Sequence, residues 1–267
     1  MLPDDSHIHT PLCRHARGEV SQYRDAARRL GLRGICFTDH APAPCGYDPK
    51  NRMALDQFES YRLMVTDLQS KNGPAVRFGI EADYYPGCEN FLPAWLADQD
   101  FDMVIGAVHF IDNWGFDDPD EHTVWKTVNV EDAWRRYFEI VTEMVTTGMY
   151  DVVAHLDLPK KFGYRPRDAE TREMAAPVLD AVAGSGMAVE INTSGLRRPA
   201  KEIYPSQLLL DMAAERGIPI CFGSDAHDPA DAANGFKEAV KSACDAGYAE
   251  WVRYENRSSV KIPLEPV

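Results

Sequence analysis

Short apolar runs rich in β-branched and aromatic residues alternate with longer amphipathic stretches between residues 33 and 223. Apolar runs of about four to eight residues are typical of buried strands, and the stretches between them have helical periodicity. This order favours a parallel sheet wrapped by helices. The predicted strands span residues 33–38, 76–81, 101–108, 151–155, 187–192 and 218–223, with a short opening strand ending at residues 6–9.

The amphipathic stretches predict the helices that connect these strands. They include residues 19–30, 55–71, 130–147, 169–183 and 205–216. No linker, charge block or low-complexity tract interrupts the alternation, so we expect one domain over residues 1–267. Seven βα units favour a closed or nearly closed barrel, and a doubly wound open sheet is the structural alternative.

The charge balance restricts the possible partners of the chain. Asp and Glu total 42 against 28 Lys and Arg, a formal net charge of -14, which repels nucleic acid and acidic membrane surfaces. No CxxC pair, apolar signal stretch or membrane-length apolar run is present, so we expect a cytoplasmic protein. Cys36 and Cys221 lie in apolar runs and are predicted to be buried core residues.

Imidazoles and carboxylates stand where the predicted strands end. Seven of the eight histidines lie at the start of the chain or directly after a strand; only His122 falls outside this pattern. The carboxyl ends of the strands of a parallel barrel meet on one face, so these side chains can share a pocket. Such groups suit Zn, Mn or Fe. The predicted metal ligands are His7, His9, His15, His40, Glu81, His109, His155, Asp225 and His227.

Nine donors exceed the roughly four to six that one ion accepts, so we expect two or three divalent metal ions. Glu81 is the predicted bridging carboxylate because it is the only Glu in the set, and Glu81, Asp225 and His227 are predicted to be catalytic. Clustered ions lower the pKa of bound water and clamp the oxygens of a phosphoryl group. Further carboxylates are predicted to orient the ligand imidazoles: Asp39, Asp83 and Asp157.

These motifs resemble those of the polymerase and histidinol phosphatase (PHP) family. The shared metal motifs are His7–His9 (HIH), Thr38–His40 (TDH), Glu81, His109, His155 and Gly223–His227 (GSDAH). Narrower segments are similar to the histidinol-phosphate phosphatase branch: Phe37–Pro42, Gly79–Tyr84, Val108–Asp112, Trp114–Asp117 and Glu190–Arg197. The resemblance implies a distorted (β/α)7 TIM-like barrel, a trinuclear centre of Zn, Mn or Fe, and hydrolysis of L-histidinol phosphate in histidine biosynthesis. A metal-bound hydroxide would attack the phosphorus.

The resemblance also implies where the phosphate is held. An arginine in the Arg197 segment and a basic residue after the fifth-strand His-x-Asp motif contact phosphate in related enzymes. The second position offers Lys160 and Lys161, where relatives often carry arginine, so the choice between them stays open. Lysine binds phosphate as a point charge and lacks the bidentate fork of arginine.

The leaving group, with its ammonium and imidazole, would suit an acidic and aromatic pocket mouth. Asp112 and Asp117 are candidates to attract the cation. Trp114 and Phe116 are candidates to stack on the imidazole ring, although aromatic residues after a strand often only pack on the rim. The expected partner is therefore a small phosphate ester.

Two other functions fit part of the pattern. A nuclease or nucleotide phosphoesterase of the same family would carry a basic track with stacking aromatics, which the acidic composition disfavours. A metal-storage or regulatory protein would coordinate its ions completely and leave no open position. Amidohydrolases typically use a lysine or carbamate bridge, and no lysine closes a predicted strand. Oligomeric state and the loaded metal are not determined by these patterns.

Overall fold

The computed structural model describes residues 2–69 and 72–266. Seven parallel strands lie in the sheet in the same order as in the chain. These strands are β1 (Asp5–Ile8), β2 (Gly34–Phe37), β3 (Ala75–Asp83), β4 (Met103–Ala107), β5 (Val152–Val153), β6 (Ala188–Asn192) and β7 (Ile220–Gly223). Each agrees with a predicted strand within a few residues.

Helices connect the strands as the periodicity predicts. They are α1 (Val20–Leu30), α2 (Phe58–Gln69), α3 (Leu92–Ala97), α4 (Val130–Thr146), α5 (Asp168–Ser185), α6 (Gln207–Glu215) and α7 (Phe236–Asp245). The predicted end of the second helix at residue 71 lies outside the described residues. Asn129 begins α4, because its side chain accepts hydrogen bonds from the backbone N–H groups of Glu131 and Asp132. The predicted helices did not include the short α3 or the amphipathic α7.

The first and last strands of the sheet meet, which closes the barrel. Ile8 forms a parallel bridge with Ala226. The backbone N–H of His9 donates to the Ala226 carbonyl at 3.0 Å, and the Ala226 N–H donates to the His7 carbonyl at 3.3 Å. The predicted barrel is therefore confirmed, and the open-sheet alternative is wrong.

Apolar side chains pack both inside and outside the barrel. Cys36 and Cys221 are buried in the inner cluster, as predicted, together with residues such as Ile105 and Val152. The larger outer cluster joins the strands to the covering helices. Among the described residues, no helix has the length and apolar character needed to cross a membrane.

A C-terminal hairpin covers the amino end of the barrel. Its antiparallel strands are β8 (Glu250–Glu255) and β9 (Ser258–Pro263). Tyr254 enters the inner apolar cluster, and its hydroxyl donates to the Asp151 carbonyl at 2.9 Å. Asp102 accepts a hydrogen bond from the Asn256 N–H at 3.1 Å. Because Asp102 and Asp151 directly precede β4 and β5, the hairpin closes this end and leaves the carboxyl end open for a site.

Candidate metal centre and substrate cavity

The Glu81 carboxylate lies at the centre of a buried cluster at the carboxyl end of the barrel. Glu81 is 1% exposed and stands on β3, between ligand candidates from four other strands. Five imidazoles surround its two oxygens: His7 Nε2 at 3.4 Å, His9 Nε2 at 3.5 Å and His40 Nδ1 at 3.0 Å from Oε2, and His109 Nε2 at 3.7 Å and His155 Nε2 at 3.2 Å from Oε1. This central position suits a carboxylate that bridges metal ions.

Asp225 and two further histidines extend the cluster toward the open side. Asp225 Oδ1 lies 3.2 Å from His9 Nε2 and 3.4 Å from His227 Nδ1. The His227 ring stacks on His9 at 4.0 Å and on His15 at 4.5 Å between ring centroids. His15 Nδ1 contacts the Cys13 carbonyl at 2.9 Å, so Nε2 is the ring nitrogen of His15 that could bind a metal ion. All nine predicted ligands therefore lie in one cluster.

The donor atoms of this cluster fit divalent metal ions. Three-donor groups whose atoms lie within 4.8 Å of one another include His7, His9 and Glu81 in one case, and His9, His40 and His227 in another. His40 Nδ1, Glu81 Oε2 and His227 Nε2 are buried and make no well-aligned hydrogen bond with the described residues, although His40 Nδ1 and Glu81 Oε2 lie 3.0 Å apart. Buried polar atoms in proteins are normally satisfied, so these atoms are suited to bind ions.

Electrostatics in the cluster also favour cations. Burial raises the pKa of Glu81, but the charges on His40 and His7 outweigh it and hold that pKa well below its usual range. Burial lowers the pKa of His109, but the Asp83 carboxylate raises it to about 10. Both shifts show that the carboxylates of the cluster favour positive charge beside them. A divalent cation would supply that charge, and an imidazole must be unprotonated to bind it.

Two of the three carboxylates that were predicted to orient imidazoles lie beside one, Asp39 near His9 and Asp83 near His109. Asp39 Oδ1 lies 3.5 Å from His9 Nδ1. Asp83 Oδ2 lies 3.0 Å from His109 Nδ1 and accepts a hydrogen bond from Arg52 at 3.0 Å. Asp157 differs from the prediction.

Asp157 pairs with Lys160 at 2.9 Å and accepts a hydrogen bond from the Ser206 N–H at 2.8 Å. Its carboxylate therefore ties the turn after β5 to the start of α6 and makes no such contact with an imidazole.

Two buried residues beside the cluster were missed from the sequence. Glu190 Oε1 lies 2.7 Å from His7 Nδ1; its signals were a charged residue inside an apolar strand and its place at the start of the Glu190–Arg197 segment. Cys13 lies close enough to His15 and His227 to form a three-donor group with them. Burial raises the pKa of the Cys13 thiol, but hydrogen bonds with His15 and His9 outweigh it and lower that pKa to about 6. A thiol therefore stands beside the predicted nitrogen and oxygen donors.

A cavity of about 270 Å³ opens above the cluster. Glu81, Asp225 and His227 form part of its lining. Other lining residues bring opposite charges and aromatic surface: Lys161, Arg198, Asp117, Asp118, Phe110 and Tyr204. Lys161 Nζ donates to the Asp117 backbone carbonyl at 2.6 Å and to its carboxylate at 3.0 Å.

The predicted phosphate contacts divide into two groups. Lys161 lines the cavity, whereas Lys160 is 2% exposed and turns away, with Nζ paired to Glu202 at 3.0 Å. The Arg197 guanidinium donates from Nη2 to the Ser224 carbonyl at 2.7 Å, its Nη1 makes no hydrogen bond with the described residues, and the neighbouring Arg198 lines the cavity. The structure therefore brings Lys161 and Arg198 to the cavity, and phosphate binding by Lys160 and Arg197 stays a prediction.

The predicted leaving-group contacts are also displaced from the cavity. Asp112 is exposed and pairs with Arg136 at 3.1 Å on an adjacent surface. Trp114 packs edge to face on Trp125 at 4.7 Å between centroids, and Phe116 is fully buried in the core. Of the predicted contacts in this loop, Asp117 is the one that reaches the cavity.

Known proteins with similar sequences identify the class of protein to which this barrel and its cluster belong. The chain belongs to the PHP domain family, whose model matches residues 5–194. A probable histidinol-phosphatase from Deinococcus radiodurans is 43% identical over 245 residues, covering 91% of this chain and 93% of that protein. The histidinol-phosphatase of Bacillus subtilis is 30% identical over 270 residues, covering 91% of this chain and 100% of the relative.

A solved structure shows the same fold. The crystal structure of a histidinol phosphate phosphatase from Lactococcus lactis, complexed with Zn, L-histidinol and phosphate, has a TM-score of 0.85 and 24% sequence identity. The match covers 97% of this chain and 98% of that chain. The resemblance to the PHP family and to its barrel is therefore confirmed.

Proposed function

We propose that this protein is a metal-dependent phosphomonoesterase that hydrolyses L-histidinol phosphate to L-histidinol and phosphate. The observation that carries the proposal is the set of five imidazoles around the Glu81 carboxylate, directly below a small cavity that holds both cationic and anionic side chains. The names of the relatives from D. radiodurans and B. subtilis support the substrate. The cytoplasm is the proposed location.

The nine clustered donors would hold two or three divalent ions of Zn, Mn or Fe. Such ions, when bound, lower the pKa of a water molecule and neutralise charge on phosphoryl oxygens. Glu81 offers one oxygen toward His7, His9 and His40 and the other toward His109 and His155, so it would join the separate ions. Asp225 and His227 stand at the edge of the cavity, where they would face the reacting phosphate.

Lys161 and Arg198 are the side chains best placed to bind phosphate. Both line the cavity, and Lys161 is already held by Asp117, which limits the entropy lost on binding. A lysine ammonium supplies a charge without fixed geometry, and an arginine fork can donate hydrogen bonds to two phosphate oxygens. Arg197 contributes indirectly, because its hydrogen bonds to the Ser224 and Asp225 carbonyls hold the loop that carries Asp225.

The remaining wall of the cavity suits the leaving group. Asp117 and Asp118 present carboxylates to an ammonium, and Phe110 and Tyr204 present rings to an imidazole. The pKa of Asp117 is lowered by Lys161 and His109, although burial raises it, so this carboxylate stays charged. A nucleic acid would require a longer basic track than this cavity of about 270 Å³ provides.

Phosphate release from a panel of esters tests this assignment. Protein loaded with Zn²⁺ or Mn²⁺ is expected to hydrolyse L-histidinol phosphate far faster than p-nitrophenyl phosphate or a nucleoside monophosphate. Equal rates on all three esters would contradict the assignment of L-histidinol phosphate as the substrate, although the protein would still be a phosphomonoesterase. Retention on immobilised single-stranded DNA at moderate salt would instead favour a nuclease.

A further inference from the structure

β6 is the strand of the barrel whose carboxyl end supplies none of the nine clustered donors. Its inward-facing positions nevertheless carry Glu190 and Asn192, which are both fully buried. An unpaired charge inside an apolar strand is costly, so these side chains need partners. The partners are the metal-ligand candidates of the neighbouring strands.

The Glu190 carboxylate connects ligand positions from two strands. Oε1 contacts His7 Nδ1 at 2.7 Å, on β1. Oε2 accepts the backbone N–H of His155 at 3.0 Å, directly after β5, and the Asn192 amide at 3.0 Å. One carboxylate therefore fixes the ring of His7 and the backbone from which His155 projects.

A glycine on the intervening strand makes this contact possible. β7 lies between β6 and β1, and Gly223 faces the Glu190 carboxylate. A Cβ at Gly223 would lie 2.0 Å from Glu190 Oε1 and 2.6 Å from the Cβ of His7. The backbone of Gly223 is not in the positive-φ region, so glycine is required here for space and not for conformation.

We infer that Glu190 is a positioning residue that presents His7 to the metal ions. When the Glu190 carboxylate accepts a hydrogen bond from Nδ1–H, the lone pair of Nε2 is left for a metal ion, on the side where Glu81 Oε2 lies 3.4 Å away. The same strand end also holds Asp225, because Ser194 Oγ donates to Asp225 Oδ2 at 3.1 Å. This inference rests on the metal centre of the proposed function.

Glu190→Gln tests whether Glu190 orients His7 through its charge or only fills space beside it. Glutamine keeps the shape but brings an NH₂ group, which must face either His7 Nδ1 or the N–H donors of His155 and Asn192. We expect Zn²⁺ affinity, measured by chelator competition, to fall about 10- to 100-fold, the usual cost of losing a carboxylate behind a ligand histidine. The visible absorption of bound Co²⁺ should also change, since it reports ligand geometry.

Asp151→Asn is the matched control. Asp151 is a carboxylate of the same barrel that accepts the Val104 N–H at 2.8 Å at the opposite end. We expect this variant to lose thermal stability and to keep wild-type Zn²⁺ affinity and the wild-type Co²⁺ spectrum. A loss of Zn²⁺ affinity equal to that of Glu190→Gln would overturn the positioning role, as would wild-type affinity and spectrum in Glu190→Gln.

Gly223→Ala tests the same contact without changing a charge. Its methyl group would lie 2.0 Å from Glu190 Oε1 and 2.6 Å from the His7 Cβ, so it must separate the two side chains, and we expect a loss of Zn²⁺ affinity of at least similar size. This variant decides the matter if Glu190→Gln does not fold, and unchanged affinity would then overturn the inference. A wild-type protein that binds no Zn²⁺ or Co²⁺ would instead overturn the proposed function on which the inference rests.

Discussion

Both ends of the barrel carry carboxylates that are at least half-buried, but they use them differently. At the amino end, Asp102 accepts the N–H groups of Phe78 and Asn256, and Asp151 accepts the N–H of Val104 and pairs with Arg257. At the carboxyl end, atoms of the cluster such as Glu81 Oε2 and His227 Nε2 make no well-aligned hydrogen bond with the described residues.

This difference separates stability from function within one barrel. Satisfied buried groups stabilise the fold, whereas buried polar atoms without partners are costly unless a ligand completes them. The amino end also carries the Tyr254 ring inside the barrel, so apolar burial and hydrogen bonding act together there. Substitutions at the amino end should therefore affect folding, and substitutions at the carboxyl end should affect metal binding and turnover.

The largest effect is expected from His9→Ala. Turnover should fall to the background rate, because His9 contacts both Glu81 and Asp225, and bound metal measured by elemental analysis should decrease. Full metal content with full activity would contradict the assignment.

Tyr254→Ala makes the converse test at the amino end. It removes a buried ring and the hydrogen bond to the Asp151 carbonyl, so the free energy of unfolding should fall by about 3–5 kcal/mol in chemical denaturation. At temperatures where the variant is folded, kcat/KM should equal the wild-type value. Lys261→Ala, at an exposed position of the same hairpin, should change stability by less than about 0.5 kcal/mol. A drop in kcat/KM for folded Tyr254→Ala would show that the two ends are coupled.

Metal binding should stabilise the protein through the carboxyl end. Zn²⁺ at about 100 times its Kd adds about 2.7 kcal/mol, which calorimetry should record as a higher Tm. Chelation should reverse both this shift and the activity, and added Zn²⁺ or Mn²⁺ should restore them. Hydrolysis that survives exhaustive chelation would refute the metal centre.

Lys161→Gln should have the smallest effect of the four. Loss of one charged contact to phosphate is expected to cost about 2 kcal/mol, or roughly a 30-fold decrease in kcat/KM, with metal content unchanged. Lys160→Gln is the matched control: it should keep kcat/KM and lose stability, because it leaves Asp157 and Glu202 without their shared cation. The opposite result would exchange the roles of the two lysines.

Local sequence patterns were sufficient for the barrel and for the positions of its ligand candidates. Each motif couples a buried strand to the residues that follow it, as Thr38–His40 follows β2. The C-terminal hairpin was missed although it had a local signal. Asn256 and Arg257 both have positive φ, at 48° and 63°, and a two-residue turn of this kind suits Asn.

Contacts across the barrel could not be predicted in the same way. Glu190 lies 183 residues from His7, and nothing in the intervening sequence encodes their 2.7 Å contact. The choice between Lys160 and Lys161, and between Arg197 and Arg198, depends on how a short turn is held by distant partners such as Glu202 and Ser224. The sequence therefore left Lys160 and Lys161 both open, and only the fold places Lys161 and Arg198 at the cavity.

The sequence by itself determined a barrel of βα units with imidazoles and carboxylates at the ends of its strands, because periodicity and strand termini are properties of neighbouring residues. Only the tertiary structure decided which side chains enter the cavity, which ones orient the ligands and how the amino end is covered. Those outcomes depend on packing and hydrogen bonds between residues far apart in the chain, because the orientation of each side chain is set by the partner that it contacts.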